Sequence, residues 1–163
     1  MKWTKGKLLY IHIAKTASAD MLELEEAELV KGKGIVNDRY FNKTGTYSEN
    51  PGMREVTLIE SEVLDALFTN QPPLQSGSIT LKPIEHRRNL TTAGVPLNYL
   101  VGKKFQVGNA ILKGDRLNFP CKYLAELLGK PVLLPLYNRS GLNCSIEKGG
   151  IIRKGDKIIQ LED

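Results

Sequence analysis

Cys121 stands between Pro120 and Lys122 in the stretch Phe119-Pro120-Cys121-Lys122-Tyr123-Leu124. Proline suits the start of a helix, where its missing N–H costs nothing, so the thiol is expected in a first helical turn near unpaired backbone N–H groups. The helix dipole, Lys122 and, if the loop folds back, Arg116 all favour the thiolate. Thiolate is the form that attacks, carries a persulfide or ligates a soft metal. A plainer reading weighs equally: Cys121, Leu124, Ala125 and Leu128 share one helical face, as core residues do. Cys144 is different. It alternates with Leu142 and Ile146 in a strand pattern, which predicts a buried core thiol.

Two polar loops could serve such a cysteine. Glu85-His86-Arg87-Arg88-Asn89-Leu90-Thr91-Thr92-Ala93-Gly94 holds paired guanidiniums that can each grip a phosphate with two hydrogen bonds. Asn89 and Thr91 add adaptable ones, although an ordinary exposed loop is the commoner explanation. Gly32-Lys33-Gly34-Ile35-Val36-Asn37-Asp38-Arg39 lacks the order of a nucleotide P-loop. Asp38 is expected either to orient Arg39 or to cap a turn. The only histidines are His12 and His86, and neither Cys-x-x-Cys nor His-x-x-x-His occurs, which argues against a protein-only zinc site. No Gly-x-Ser-x-Gly cue points to a serine hydrolase.

The elements that must position these residues are mostly short strands. Leu8–Ala14, Glu55–Glu60, Lys104–Val107, Ala110–Lys113, Leu142–Glu147 and Lys157–Leu161 suit strands, and Gly108-Asn109 suits a tight hairpin. One helix is expected after Ser61, a plausible cap, with Val63, Leu64 and Leu67 on one side. A second runs from near Pro120-Cys121 to Gly129-Lys130-Pro131. Strands outnumber helices without alternating with them, which disfavours a doubly wound parallel sheet. The 163 residues suit one domain, 1–163. Lys2, Lys5 and Lys7 precede the apolar run Leu8–Ala14, and Ala17-Ser18-Ala19 resembles a cleavage site, but the run alternates like a strand. A cytoplasmic protein with free thiols is expected, and no run is long enough for a membrane helix.

Charge is uneven. Ala17–Val30 carries five acids and no base, whereas Lys82–Arg139 carries ten bases against three acids. The basic half favours anionic partners such as phosphate, a phosphorylated cofactor or nucleic acid.

Five pieces in order resemble the MOSC family, named for the C-terminal domain of molybdenum cofactor sulfurases. They are GIVNDRYF at 34–41, REVTLIE at 54–60, RRNLTTAGVPLNYLVGKKFQVG at 87–108, FPCKYL at 119–124 and GGIIRKGDKI at 149–158. The resemblance implies a closed, antiparallel β-barrel of the pyruvate-kinase-barrel type with a few short helices. It implies that Cys121 matches the family's functional cysteine, proposed to hold sulfur or to coordinate molybdenum. By the same analogy Arg87, Arg88 and Asn89 lie near a cofactor pocket, with Asp38 and Arg39 from the first loop. That loop usually reads Gly-x-x-Gly-Asp-x-His; here Asn37 and Tyr40 replace the second glycine and the histidine.

The leading expectation is therefore a domain that binds a molybdenum cofactor (molybdopterin) through Cys121 and a basic pocket. In its reductase version a separate electron-donor protein drives reduction of an N-hydroxylated compound. In the alternative version Cys121 is a persulfide sulfur carrier that sulfurates a cofactor or metal cluster. Family descriptions also mention pyridoxal phosphate, but that chemistry belongs to the desulfurase domain of fused relatives, and no lysine here stands out as its Schiff-base partner. A non-enzymatic nucleic-acid-binding barrel is the rival from another class. It would want exposed aromatics among the bases, and aromatics are only 7% of the chain.

Overall fold

The computed structural model describes residue 3, residues 6–45 and residues 54–162. Lys2 and Lys5, weighed above as part of an export signal, lie outside them. In chain order the elements are β1 (Gly6–Ile13), β2 (Leu22–Leu24), β3 (Glu26–Val30), β4 (Gly34–Ile35), α1 (Arg39–Asn42), β5 (Val56–Glu60), α2 (Ser61–Phe68) and β6 (Leu90–Ala93). After a 3-10 turn at Leu97–Leu100 come β7 (Lys104–Val107), β8 (Ala110–Leu117), α3 (Lys122–Leu128), β9 (Leu142–Lys148), β10 (Gly150–Arg153) and β11 (Lys157–Gln160).

Seven strands close a barrel in the order β1-β6-β5-β9-β8-β7-β11, with β11 returning to β1. The strand β2 flanks β1, and β10, β3 and β4 form a small second sheet. The expected barrel is present, and its pairing is mostly antiparallel. β5 and β6 run parallel, Leu58 beside Leu90 and Glu60 beside Thr92, so the barrel is mixed. The cause is the long connection between them, residues 61–89, which carries α2; parallel neighbours need such a crossover.

Alternation fills the barrel. Leu8, Ile11, Val56, Leu58, Leu90, Phe105, Val107, Leu112, Leu142, Cys144 and Ile158 are all essentially inaccessible to solvent. A second apolar cluster lies outside the ring, where Ile59, Val63, Leu64 and Leu67 meet Leu124, Val132 and Leu136. This cluster fixes α2 and α3 against the barrel, so it sets where Cys121 can sit.

Two expectations about local structure needed adjustment. Ser61 is the first residue of α2 rather than its cap; Glu60 takes that place without a side-chain capping bond. The loop read as polar and basic contains β6, because Leu90, Thr91 and Thr92 are buried between β1 and β5.

Candidate functional site

The strand β8 contains a bulge. Gly114 pairs with Cys144 and the next register pair is Arg116 with Asn143, so Asp115 is an extra residue. Up to Gly114, the even-numbered residues of β8 face the core; the insertion moves Arg116 to the other face. There Arg116, Asn143 of β9 and Thr57 of β5 form one row across three strands. That row is the floor of a cavity of about 230 Å³.

The cavity wall brings together Arg39, Arg54, Arg87, Arg88 and Arg116, the phenols of Tyr40 and Tyr123, the amide of Asn118, and Cys121. Among the lining residues there is no carboxylate and no imidazole. Five guanidiniums around one concave wall make a strongly positive field.

Cys121 is the N-cap residue of α3 rather than part of its first turn, with extended backbone and a free thiol. Its carbonyl accepts from Leu124 N at 3.2 Å. The helix is held by Leu124, buried in the second cluster, and ends at Gly129 in the left-handed conformation (φ 62°). Cys121 packs partly against that cluster and also lines the cavity. Lys122 does not join it. Its ammonium is 85% exposed and pairs with Glu126 at 3.9 Å. The positive charge beside the thiol comes instead from Arg88, close enough for the two groups to act on each other electrostatically, and from Arg116 across the cavity. Cys144 is fully buried in the core, and burial holds its thiol well above its ordinary pKa.

The arginines differ in how far the protein already uses them. Arg88 is 6% exposed and commits four of its five donors: Nε donates to Ser140 O at 3.1 Å, Nη1 to His86 O at 2.7 Å, and Nη2 to Asn118 Oδ1 at 2.9 Å and Ser140 Oγ at 2.5 Å. Burial lowers its pKa to about 10, so it remains charged. Arg39 is buried as well; Nη1 meets Asp38 at 3.1 Å and Nη2 donates to Arg87 O at 2.7 Å. Arg87 donates from Nη1 to Ala19 O at 2.5 Å, and its backbone sits in the left-handed region (φ 67°). Burial first, and the neighbouring Arg39 charge second, lower its pKa. Arg116 stands apart. Its Nε is buried without a hydrogen-bond partner among the described residues.

Two residues expected at the pocket stand behind it. Asp38 is fully buried and does not line the cavity; its carboxylate accepts from Ala14 N at 3.1 Å, caps α1 through Tyr40 N at 3.3 Å, and holds Arg39. It both caps and orients. Asn89 likewise does not reach the cavity. Its Oδ1 accepts from Thr57 N at 3.0 Å and Thr57 Oγ1 at 3.1 Å, and its Nδ2 donates to His12 O at 3.1 Å. Tyr40 presents its phenol to the cavity, with the Arg39 guanidinium 4.5 Å from its ring centre. Sequence reasoning missed Arg54, Asn118, Tyr123 and Asn143 as lining residues, and it had no signal for the bulge that aims Arg116. Ser18, on the loop between β1 and β2, hydrogen-bonds Tyr123 across the cavity edge.

A closed mixed barrel with a partly buried cysteine facing an arginine-lined cavity narrows the class of protein, and comparison with known proteins gives the family. The sequence profile of the MOSC domain matches residues 42–159, and this chain belongs to the MOSC family. Four of the five resembling pieces fall inside that match; GIVNDRYF, with Asp38 and Arg39, precedes it. The fold is similar to that of the YuaD protein from Bacillus subtilis, at 20% identity and a TM-score of 0.77 over 100% of both chains. It is also similar to YiiM from Geobacillus stearothermophilus, at 14% identity and a TM-score of 0.69 over 96% of this chain and 75% of that one. YiiM from Escherichia coli aligns at 14% identity with a TM-score of 0.65, over 100% of this chain and 71% of that one. No curated protein matches the sequence.

Proposed function

We propose that this protein binds an anionic molybdenum cofactor of the molybdopterin type, with Cys121 as the thiolate ligand of the metal. The observation that carries the reading is a partly buried thiol and five arginines on one cavity wall without a carboxylate. The residues fit such a group. A soft sulfur donor is what a thiolate-ligated metal requires, and the Arg116 guanidinium on the cavity wall suits a phosphate oxygen. Arg87, with one donor committed to Ala19, adds a second cation. Arg88, Arg39, Asp38 and Asn89 support the wall. When bound, the cofactor supplies a redox-active metal centre, and a reductase acting on N-hydroxylated compounds would draw its electrons from a separate donor protein.

Sulfur carriage by a Cys121 persulfide is the second reading. It is favoured by the absence of any other Cys, His, Asp or Glu from the cavity lining, since a persulfide needs only one cysteine. Both readings are separated by Cys121→Ser in protein made by a host that synthesises molybdopterin. Loss of bound molybdenum with the fold retained supports ligation, because serine is a harder, poorer ligand. Wild-type protein that carries no molybdenum but holds a cyanide-labile sulfur on Cys121 overturns it in favour of carriage.

A further inference from the structure

The cavity's charge and its lack of carboxylates and imidazoles point to a particular kind of sulfur donor. We infer that Cys121 accepts sulfane sulfur from an oxyanion donor of the thiosulfate class, with Arg116 holding the sulfonate oxygens. This rests on the sulfur-carrier reading of Cys121 and names its donor.

Three observations converge on that chemistry. The first is Arg116: the register shift at Asp115 places it on the cavity wall, and its Nε has no hydrogen-bond partner among the described residues. A guanidinium carries five N–H donors, and those on the cavity side can give a bound oxyanion charge-assisted bonds. The second is size. At roughly 30 Å³ per water molecule, 230 Å³ holds a small oxyanion with room to spare. The third is the lining, whose only ionisable groups besides the arginines and Cys121 are the phenols of Tyr40 and Tyr123. A reaction that needed a carboxylate or imidazole to move a proton would find none on this wall.

Transfer from thiosulfate needs no proton. The Cys121 thiolate attacks the outer sulfur, a new S–S bond forms at Sγ, and the S–S bond of thiosulfate breaks. The electron pair leaves with sulfite, which departs as an anion and requires no protonation. Cys121 is left as a persulfide anion, and no external oxidant or reductant enters. Arginine is suited to both ends of this step because it binds the trigonal oxygens of the donor and of the departing sulfite. Asn143, beside Arg116 in the same row, already accepts from Asn118 Nδ2 at 2.7 Å, which keeps that part of the floor rigid.

The test uses the full chain, reduced, with two donors: thiosulfate, which has a sulfonate, and inorganic polysulfide, which has none. Persulfide on Cys121 is read as a gain of one sulfur atom by mass spectrometry, and turnover as thiocyanate released by cyanide. Wild-type protein is expected to load from both. In Arg116→Gln the ratio of thiosulfate to polysulfide loading should fall by about 10- to 100-fold, the scale of a lost charge-assisted contact, through KM for thiosulfate. Arg116→Lys should recover part of it. The ratio cancels any loss of folded protein. An unchanged ratio in Arg116→Gln, or loading from polysulfide but not thiosulfate, overturns the donor assignment and leaves the carrier standing. Loading from neither donor removes the carrier reading itself.

Discussion

At the scale of single residues, the two cysteines occupy opposite surroundings, one on the wall of the arginine-lined cavity and one inside the barrel. Two cysteines in one chain could be told apart because Pro120 marks a helix start for one and Leu142 and Ile146 mark a strand for the other. The structure keeps that difference: Cys121 lines the cavity, while Cys144 has no accessible surface and a thiol pushed well above its ordinary pKa. Iodoacetamide at pH 7.5 should therefore label Cys121 in native protein and reach Cys144 only after unfolding. Peptide mapping checks this, and native labelling of Cys144 at a comparable rate would contradict the packing. The arginines were harder to read. Paired Arg87 and Arg88 suggest anion binding, yet Arg88 commits its guanidinium to Ser140, His86 and Asn118, and it is Arg116 whose Nε has no partner among the described residues. No local pattern shows how many bonds a guanidinium will make at home, since its partners here come from up to 52 residues away.

At the scale of elements, strands with strict alternation were legible and short or shared ones were not. The hairpin β7–β8 follows from Gly108-Asn109, and α3 from its proline and glycine boundaries. The strand β6 was hidden because Thr91 and Thr92 look polar while both are buried between neighbours. Asn89 explains how that burial is tolerated. Its amide ties β5 to β1 through Thr57 and His12 at a point where water has no access. Asn89→Ala leaves Thr57 N and His12 O without partners in the core. Each buried unsatisfied group costs about 1–3 kcal/mol, so a loss of about 2–4 kcal/mol is expected. Urea unfolding measures it as a lower midpoint at unchanged slope. A loss below about 0.5 kcal/mol, the range of surface substitutions, would mean that the strands do not depend on this tie.

At the scale of the whole molecule, stability against pH is governed by buried groups outside the cavity, and they pull in opposite directions. His86 is fully buried, accepts from Arg88 N at Nδ1 and meets Thr91 Oγ1 at Nε2. Burial, then the Arg88 charge, hold its pKa well below 6.5. The unfolded chain takes up that proton first as pH falls, so the His86 contribution is present above pH 6.5 and lost below it. Glu60 behaves in the opposite sense. Burial first, and the Glu62 charge second, raise its carboxyl from 4.5 to about 7. The folded state then holds the extra proton, so this contribution is present below pH 4.5 and lost as pH rises through about 7. Glu60→Gln separates the two, because the amide keeps an acceptor for the Leu97 backbone but cannot ionise. The variant should be more stable than wild type at pH 8, by on the order of 1–2 kcal/mol once partial exposure is allowed for. That advantage should vanish near pH 4.5, where both proteins carry a neutral group at this position. His86 is common to both proteins, so its loss at low pH cancels in the difference. Melting curves of the two proteins from pH 4.5 to 8 read it directly, and a difference that stays constant across that range would show that Glu60 keeps an ordinary carboxylate pKa.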